Sequence, residues 1–191
     1  MKTLISLILT MGILHAAPEA IFNGKDLTGW KVEGAEYWTA KDGVLIGQSD
    51  AKKKHSNLWT EKQFTDFTLK AEFRYEGRMD SGVFVRAFND QIQLGISSSL
   101  QRDMTCSPYI ASLGKYPVEA KGVDKLLKEG DWNRLSITAK GPRYVVSLNG
   151  KQVLDYTSGT AKEKGPIGLQ VHQGFDMRIE FRNITVEAIG D

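Results

Sequence analysis

Apolar and polar residues alternate most regularly between Phe67 and Tyr75. Apolar or aromatic residues occupy every second position of this stretch, and threonine, lysine, glutamate and arginine fill the positions between them. A strand turns successive side chains to opposite faces, so a period of two puts one set in a core and the other in solvent. The pattern predicts a half-buried antiparallel strand with a charged outer face.

The same period recurs in the last third of the chain. Leu135, Ile137 and Ala139 alternate with polar residues. Gly141-Pro142 then marks a turn, and Asn149-Gly150 is typical of a two-residue type I′ hairpin. We expect meandering antiparallel neighbours here. Further short strands are predicted at Val44 to Gly47, Asn57 to Thr60, Gly82 to Arg86, Gln91 to Ile96, Tyr144 to Leu148, Gln152 to Tyr156, Ile167 to His172 and Met177 to Ala188.

The pattern predicts an all-β protein. Only Val123 to Lys128 has the spacing for a turn or two of helix. Many short strands separated by turn residues favour a two-sheet antiparallel β-sandwich of jelly-roll type. The widest gap between strands runs from Ser97 to Gly130, and a long irregular excursion of this kind is usually a functional or covering loop.

Length and the N-terminal pattern indicate one exported domain. The 191 residues, 41% of them hydrophobic, suffice for a single full core. Lys2 precedes an apolar run from Leu4 to Leu14, which is followed by small residues, the layout of a secretory signal peptide. The run is shorter than the ~20 residues of a membrane-spanning helix, and no cysteine follows it to carry a lipid. We expect a signal peptide over residues 1–16, a domain over 17–191, and a secreted or periplasmic protein with no membrane association after cleavage.

Charge and cysteine content narrow the partners. The formal net charge is +2, and no basic stripe suggests nucleic acid or an anionic membrane. The single basic run, Lys52 to His55, is most simply a solvated loop. Cys106 is the one cysteine, so no internal disulfide can form. Its thiol is either a nucleophile or, as we expect, a quiet buried residue.

Polar side chains share one face on two of the predicted strands. Gln170 and His172 alternate with apolar residues, and Gln91 and Gln93 repeat the arrangement. Arg86 ends a third strand, on the same side as Phe84. In one curved sheet, Arg86 and these four residues would line a concave face with donors and acceptors suited to sugar hydroxyls. The alternative is a solvated face that binds nothing.

Several residues are candidates for chemistry around this face. His172 is the best general base, because imidazole titrates near neutrality, although a strand histidine is often only a hydrogen-bonding residue. Arg102, Asp103 and Tyr109 lie on the long excursion and could close over a ligand. Asp80 precedes the Arg86 strand, where it could stand at the rim or form an Asx-turn.

Three further patterns bear on the chemistry. No histidine and carboxylate fall at a ligand spacing within one element, so no metal ligand set is predicted, while a divalent metal held by one histidine and distant oxygens stays possible. The four tryptophans could stack on sugars or lie in the core, and we expect Trp132 in the core. No predicted strand carries two carboxylates on a ligand-facing side, which disfavours a retaining glycosidase.

The sequence resembles a known family in three segments. These are Ile21 to Trp30 (IFNGKDLTGW), Asp80 to Arg86 (DSGVFVR), and the closing stretch of Gly165 to His172 with Phe181-Arg182-Asn183-Ile184. In the same order, they look like the 3-keto-disaccharide hydrolase domain family. The resemblance covers nearly the whole chain after residue 16 and implies a concanavalin A-like jelly roll.

The resemblance also implies an activity, the cleavage of glycosides that are oxidised to a ketone at C3. On this interpretation His172 removes the acidified C2 proton, Arg86 and a glutamine among Gln91, Gln93 and Gln170 hold the keto sugar, and water is added after elimination. Many members carry a glutamate where this chain has Gln91, which puts a metal or acid/base role of that position in doubt. The alternatives are a carbohydrate-binding module without turnover, or a scaffold with no sugar affinity; the oligomeric state is left open.

Overall fold

The computed structural model describes residues 17–190. The predicted signal peptide therefore lies outside the described residues, and both the signal peptide and the export that it implies stay predictions. Within the described part of the chain, no helix is long and apolar enough to cross a membrane.

Fifteen strands make up the regular structure of the described residues. In chain order they are β1 (Glu19–Ala20), β2 (Trp30–Gly34), β3 (Trp38–Lys41), β4 (Val44–Gln48), β5 (Ser56–Thr60), β6 (Phe67–Tyr75), β7 (Asp80–Val85), β8 (Asp90–Ser97), β9 (Arg102–Asp103), β10 (Pro108–Ile110), β11 (Asn133–Lys140), β12 (Arg143–Leu148), β13 (Lys151–Thr157), β14 (Ile167–Val171) and β15 (Arg178–Ala188).

The strands form two antiparallel sheets. The first sheet has the order β13-β12-β11-β6-β15-β4-β3, with β1 paired to β15. The second has the order β10-β8-β7-β14-β5-β2, with β9 paired to β8. The predicted all-β sandwich of two antiparallel sheets is confirmed, and the Asn149-Gly150 hairpin joins β12 to β13, with both residues at positive φ.

The core lies between the sheets. Phe73 and Phe181 face inward from the first sheet, and Leu58, Leu94 and Val171 from the second, each at most 1% exposed. Burying apolar side chains of this size stabilises the fold by about 1.5–3 kcal/mol each. Most apolar residues of the second sheet lie on this side, and its opposite face carries polar residues together with Trp59 and Phe84.

One local expectation is confirmed and one is wrong. The turn of helix expected within residues 123–128 is present as a single 3-10 turn, Val123–Lys125, and Val123 packs in the core. Trp132, expected in the core, is only half-buried on the outer face of the first sheet, where the guanidinium groups of Arg74 and Arg182 lie 4.8 and 4.1 Å from its ring centre. Cation–π contact stabilises it there.

Candidate functional site

The second sheet carries a row of amide side chains across three of its strands. Gln93 of β8 pairs with Gly82 of β7, and Gln170 of β14 pairs with Asn57 of β5. The pairing of β14 with β7 puts Gln170 beside Gly82. Side chains on the same face of neighbouring strands lie within contact distance. The row of Gln93, Gln170 and Asn57 therefore crosses the face of the sheet that is turned away from the core.

A cleft of ≈ 230 Å³ lies over Gln93 and Gln170 of this row. Five of the residues predicted from the sequence line it, namely Gln91, Gln93, Tyr109, Gln170 and His172. They come from β8, β10 and the end of β14, with His172 directly after β14. The concave polar face expected from alternation alone is thus assembled by the pairing of β8, β7 and β14.

Gln91 reaches Gln170 by crossing over Gly82. The Gln91 Nε2 atom donates a 2.7 Å hydrogen bond to Oε1 of Gln170. A Cβ atom at residue 82 would lie 2.2 Å from Gln91 Nε2, closer than any real contact. Only glycine at this position leaves room for the Gln91 side chain to lie flat across β7.

Gln93 is fixed by Asp80 at the floor of the cleft. Its Nε2 group donates to Oδ1 of Asp80 at 2.8 Å and to the carbonyl oxygen of Ile96 at 2.9 Å. The other carboxylate oxygen of Asp80 accepts the backbone N–H of Ser98 at 2.8 Å. Both N–H groups of Gln93 are therefore used within the protein, which leaves its Oε1 atom as an acceptor for a ligand.

Asp80 is a site residue for which the sequence suggested only a place at the rim. It is 4% exposed and lines the cleft at the start of β7. Its backbone carbonyl also accepts the N–H of His172 at 3.4 Å, so the two residues lie opposite each other on neighbouring strands. The buried position follows from strand pairing, which the local sequence does not reveal.

His172 is placed with one ring nitrogen held and the other available. It directly follows β14, is half-buried, and lines the cleft. Its Nδ1 atom lies 2.7 Å from the carbonyl oxygen of Gln173. A carbonyl can only accept, so Nδ1 carries the hydrogen and neutral His172 presents Nε2 as a proton acceptor. The edge-on ring of Phe175, 5.8 Å away between ring centres, fixes its orientation further.

Two tyrosines of the long excursion cover the cleft. Tyr109 was predicted and Tyr116 was not; both line the cleft, with their ring centres 5.1 Å apart. Burial raises the pKa of Tyr116 to about 12, so its hydroxyl stays protonated at neutral pH. No periodic signal marks Tyr116, because it lies outside any strand.

Arg86 does not belong to this cleft, which corrects its expected place on the ligand-facing side. The chain leaves β7 at residue 86 with φ 62°, and the side chain is fully buried. Its guanidinium uses five hydrogen bonds, to the carbonyl oxygens of Thr65, Ala139, Gly141 and Lys162 and to Oδ1 of Asp66. All five N–H donors of an arginine are then satisfied by the protein, and none is left for a sugar.

Arg102 and Asp103 also lie elsewhere. They border a different cleft of ≈ 390 Å³. Arg102 forms an ion pair with Glu119 (Nη1 to Oε2, 2.9 Å), and Oδ1 of Asp103 accepts the N–H of Thr105 at 2.8 Å. Burial raises the pKa of Asp103. The excursion therefore closes over the cleft with its tyrosines and turns these two charged residues to another side.

Neither a thiol nor a metal ligand set adds to the site. Cys106 is fully buried, and burial raises the pKa of its thiol well above the usual range, as expected for a quiet residue. Within residues 17–190 no three or more His, Cys, Asp or Glu side chains stand close enough to hold a metal ion. The polar side chains that line the cleft are amides, hydroxyls, one imidazole and the carboxylate of Asp80, whose two oxygens already accept protein hydrogen bonds.

Comparison with solved structures agrees with the fold. The chain is similar to a candidate glycosyl hydrolase from Parabacteroides distasonis ATCC 8503, at 25% identity and a TM-score of 0.70, covering 91% of this chain and 100% of the other. It is also similar to a Bacillus subtilis protein with a galectin-like fold, at 14% identity and a TM-score of 0.67, covering 91% and 98%. The carbohydrate-binding module CBM66 from Bacillus subtilis matches at 19% identity and a TM-score of 0.61, covering 84% and 96%.

The sequence itself gives the family. No curated protein matches it significantly. Residues 17–187, which include every strand of the sandwich except the last residue of β15, match the model of the 3-keto-alpha-glucoside-1,2-lyase-like domain. Since that match covers most of the chain and the fold agrees with it, the chain belongs to the 3-keto-alpha-glucoside-1,2-lyase-like domain family.

Proposed function

We propose that this protein cleaves 3-keto glycosides by base-led elimination followed by hydration, with His172 as the base. The observation that carries the proposal is the geometry of His172, whose Nδ1 is held by the Gln173 carbonyl while Nε2 is left as an acceptor in a cleft lined by amides. Membership of the family supports the substrate class.

The ketone at C3 makes one base sufficient. His172 Nε2 takes the C2 proton, and the C2–H electron pair forms an enolate with its charge on the C3 oxygen. Collapse of the enolate breaks the bond from C1 to the glycosidic oxygen, and the leaving group takes up a proton. Water then adds across the C1–C2 double bond, so the net reaction is a hydrolysis that consumes one water and needs no oxidant.

The hydrogen bonds of the cleft support different roles for its amides. Gln170 accepts from Gln91 through Oε1, and its Nε2 group donates to no acceptor among the described residues, so it can donate to the developing enolate oxygen. Tyr116 adds a protonated hydroxyl. Gln93, which presents Oε1, would accept from a sugar hydroxyl.

A carbohydrate-binding module without turnover is the second candidate. Gln91 favours it, because a neutral amide stands where many family members carry a glutamate, and the chain resembles CBM66 in fold. A binding module needs the fixed amides but no proton acceptor. The two functions therefore differ in whether removing the imidazole of His172 changes a rate or only an affinity.

The deciding experiment follows aglycone release from a purified 3-keto glucoside by the wild type, His172→Ala and His55→Ala. His55 is the matched control, since it lies outside this cleft and lines another one. We expect His172→Ala to lower kcat by about 10²–10⁴-fold and His55→Ala to leave it unchanged. Turnover that survives His172→Ala would remove His172 as the base, and saturable binding without turnover in the wild type would favour the binding module.

A further inference from the structure

Among the described residues, the large apolar side chains that are exposed lie on connections beside one cleft. In the described part of the chain, large hydrophobic side chains are exposed at Phe88 (57%), Leu100 (45%) and Leu113 (52%). Phe88 follows β7, Leu100 follows the cleft serines after β8, and Leu113 follows Ala111 of the cleft wall. All three connections border the cleft that holds His172, and Phe88 alone of the three lines it.

Phe88 is held in place as the end of an aromatic stack. Its ring centre lies 5.2 Å from that of Phe84, which lies 5.0 Å from that of Trp59. The next residue, Asn89, accepts the N–H groups of Ala111 and Ser112 through its carbonyl and Oδ1, both at 2.8 Å. The exposed ring is therefore fixed to the cleft wall and is not the tip of a loose loop.

The polar side chains that follow Phe88 in the chain are already hydrogen-bonded within the protein. The Nδ2 group of Asn89 donates to Oδ1 of Asp90 at 2.7 Å, and its Oδ1 accepts from Ser112. Asp90 also accepts from Tyr144 at 2.9 Å and from Ser158 at 2.6 Å. The rim at Phe88 thus offers an apolar ring face, while the hydrogen-bonding groups lie deeper in the cleft.

The size of the cleft decides what reaches this rim. Pockets that enclose a drug-sized ligand measure about 300–1,000 Å³, and this cleft, at ≈ 230 Å³, is smaller. We therefore place one sugar ring of a bound glycoside in the cleft and its leaving group at the rim.

We propose that Phe88 is a platform for the leaving group and that it selects glycosides with an aryl aglycone over those with a second sugar. This inference rests on the proposed function. An aryl aglycone can bury its whole apolar face against the exposed ring, whereas a second sugar offers only the C–H part of its face and keeps its hydroxyls in water, so it gains less from the contact.

The experiment compares a phenyl 3-keto-glucoside with a 3-keto disaccharide of the same anomeric configuration, using the wild type, Phe88→Ala, Phe88→Tyr and Leu100→Ala. We expect Phe88→Ala to raise KM for the phenyl substrate about tenfold with kcat unchanged, because the contact is made equally in ground and transition states. The disaccharide KM should change less than about twofold. Phe88→Tyr, which keeps the ring, and Leu100→Ala, an exposed apolar residue outside the cleft lining, should behave as wild type.

A binding measurement separates this inference from the proposed reaction. Calorimetry with the unoxidised phenyl glucoside, which cannot be eliminated, should show about tenfold weaker binding to Phe88→Ala than to the wild type, whether or not any 3-keto glycoside is turned over. Equal loss for both substrates, or a loss in Leu100→Ala as large as in Phe88→Ala, would overturn the platform. A loss at Trp59→Ala together with none at Phe88→Ala would also overturn it and move the leaving group to the far end of the stack.

Discussion

At the scale of single residues, the cleft depends on the absence of a side chain at Gly82. Gln91 and Gln170 lie on strands separated by β7, and their amides meet only because no side chain stands between them. Gly168 does the same for the aromatic stack, since a Cβ there would lie 2.4 Å from the Trp59 ring. Two glycines therefore permit both the polar and the aromatic parts of the site.

We predict that Gly82→Ala weakens sugar binding more than it weakens the fold. The new methyl group would push aside the end of the flexible Gln91 side chain, which can swing away at little cost to packing. The Gln91–Gln170 hydrogen bond would be lost, and affinity for a 3-keto glucoside should fall about tenfold. Calorimetry would give the affinity, and thermal unfolding the stability.

The control is Gly159→Ala, since a Cβ at that position meets nothing within 4 Å and its φ is not positive. It should bind the glucoside like the wild type. Unchanged binding by Gly82→Ala would mean that the paired amides are not part of the sugar site.

The sequence predicted the amides and not the glycine. Alternation alone put Gln91, Gln93, Gln170 and His172 on the faces turned away from the core, because a strand has a strict period of two. It gave no reason for a glycine inside β7, because the clash that Gly82 avoids comes from a side chain of another strand.

At the scale of elements, charged ladders on the outer face tie β6 to β15. Glu180 accepts from Nε of Arg74 at 2.8 Å and from Nε of Arg178 at 2.9 Å. Burial of Glu180 acts to raise its pKa, but the hydrogen bonds from the two arginines outweigh burial and hold the pKa below its ordinary value of 4.5. The charged form of this carboxylate is therefore favoured by folding.

A lowered carboxyl pKa predicts a definite pH dependence of stability. The contribution of Glu180 is fully present above its unfolded pKa of 4.5 and is lost as pH falls through the lower folded pKa. Glu180→Gln should lower the free energy of unfolding by about 1–2 kcal/mol at neutral pH. The difference from wild type should shrink as the solution is acidified well below pH 4.5. Urea unfolding at a series of pH values measures it.

Glu187→Gln on the same strand is the matched control. Its ion pair with Lys70 is longer, at 3.8 Å, and more exposed, so its effect should stay below about 0.5 kcal/mol. A Glu180→Gln difference that does not vary with pH would contradict the assignment.

Element pairing also decided which predicted residues meet. The excursion between β8 and β11 was expected to bring Arg102, Asp103 and Tyr109 over the ligand as a group. β10, which carries Tyr109, pairs with β8 along the cleft, whereas β9 pairs with the far end of β8 and turns Arg102 and Asp103 away. Loop composition alone contains no such information, because short edge strands are placed by their partners.

At the scale of the whole molecule, Arg86 joins segments that are distant in the chain. Its guanidinium ties the carbonyls at residues 65, 139, 141 and 162 to the end of β7. It thereby links the second sheet to the turn between β11 and β12 of the first. Because all its N–H groups are hydrogen-bonded, the buried guanidinium holds these segments in one arrangement. Shortening the Arg86 side chain would leave several buried carbonyl oxygens without a hydrogen-bond donor.

We predict that Arg86→Met destabilises the fold by about 3–5 kcal/mol without removing any cleft residue. The exposed Arg134, replaced in Arg134→Met, should change stability by less than about 0.5 kcal/mol. Chemical unfolding gives both values. Aglycone release under strongly stabilising conditions should persist in Arg86→Met. A loss of turnover in a fully folded variant would mean that Arg86 takes part in the reaction after all.

The sequence by itself determined the class of the fold, the faces of β8 and β14 that carry the glutamines, and the family. Those properties follow from local period and from motifs that stand in order along one chain. Only the tertiary structure decided that Arg86 is buried between elements, that Asp80 and Tyr116 belong to the cleft, and that Phe88 stands exposed at its rim. Each of these depends on contacts between segments far apart in the chain, where distance and register are set by packing and leave no periodic trace in the sequence.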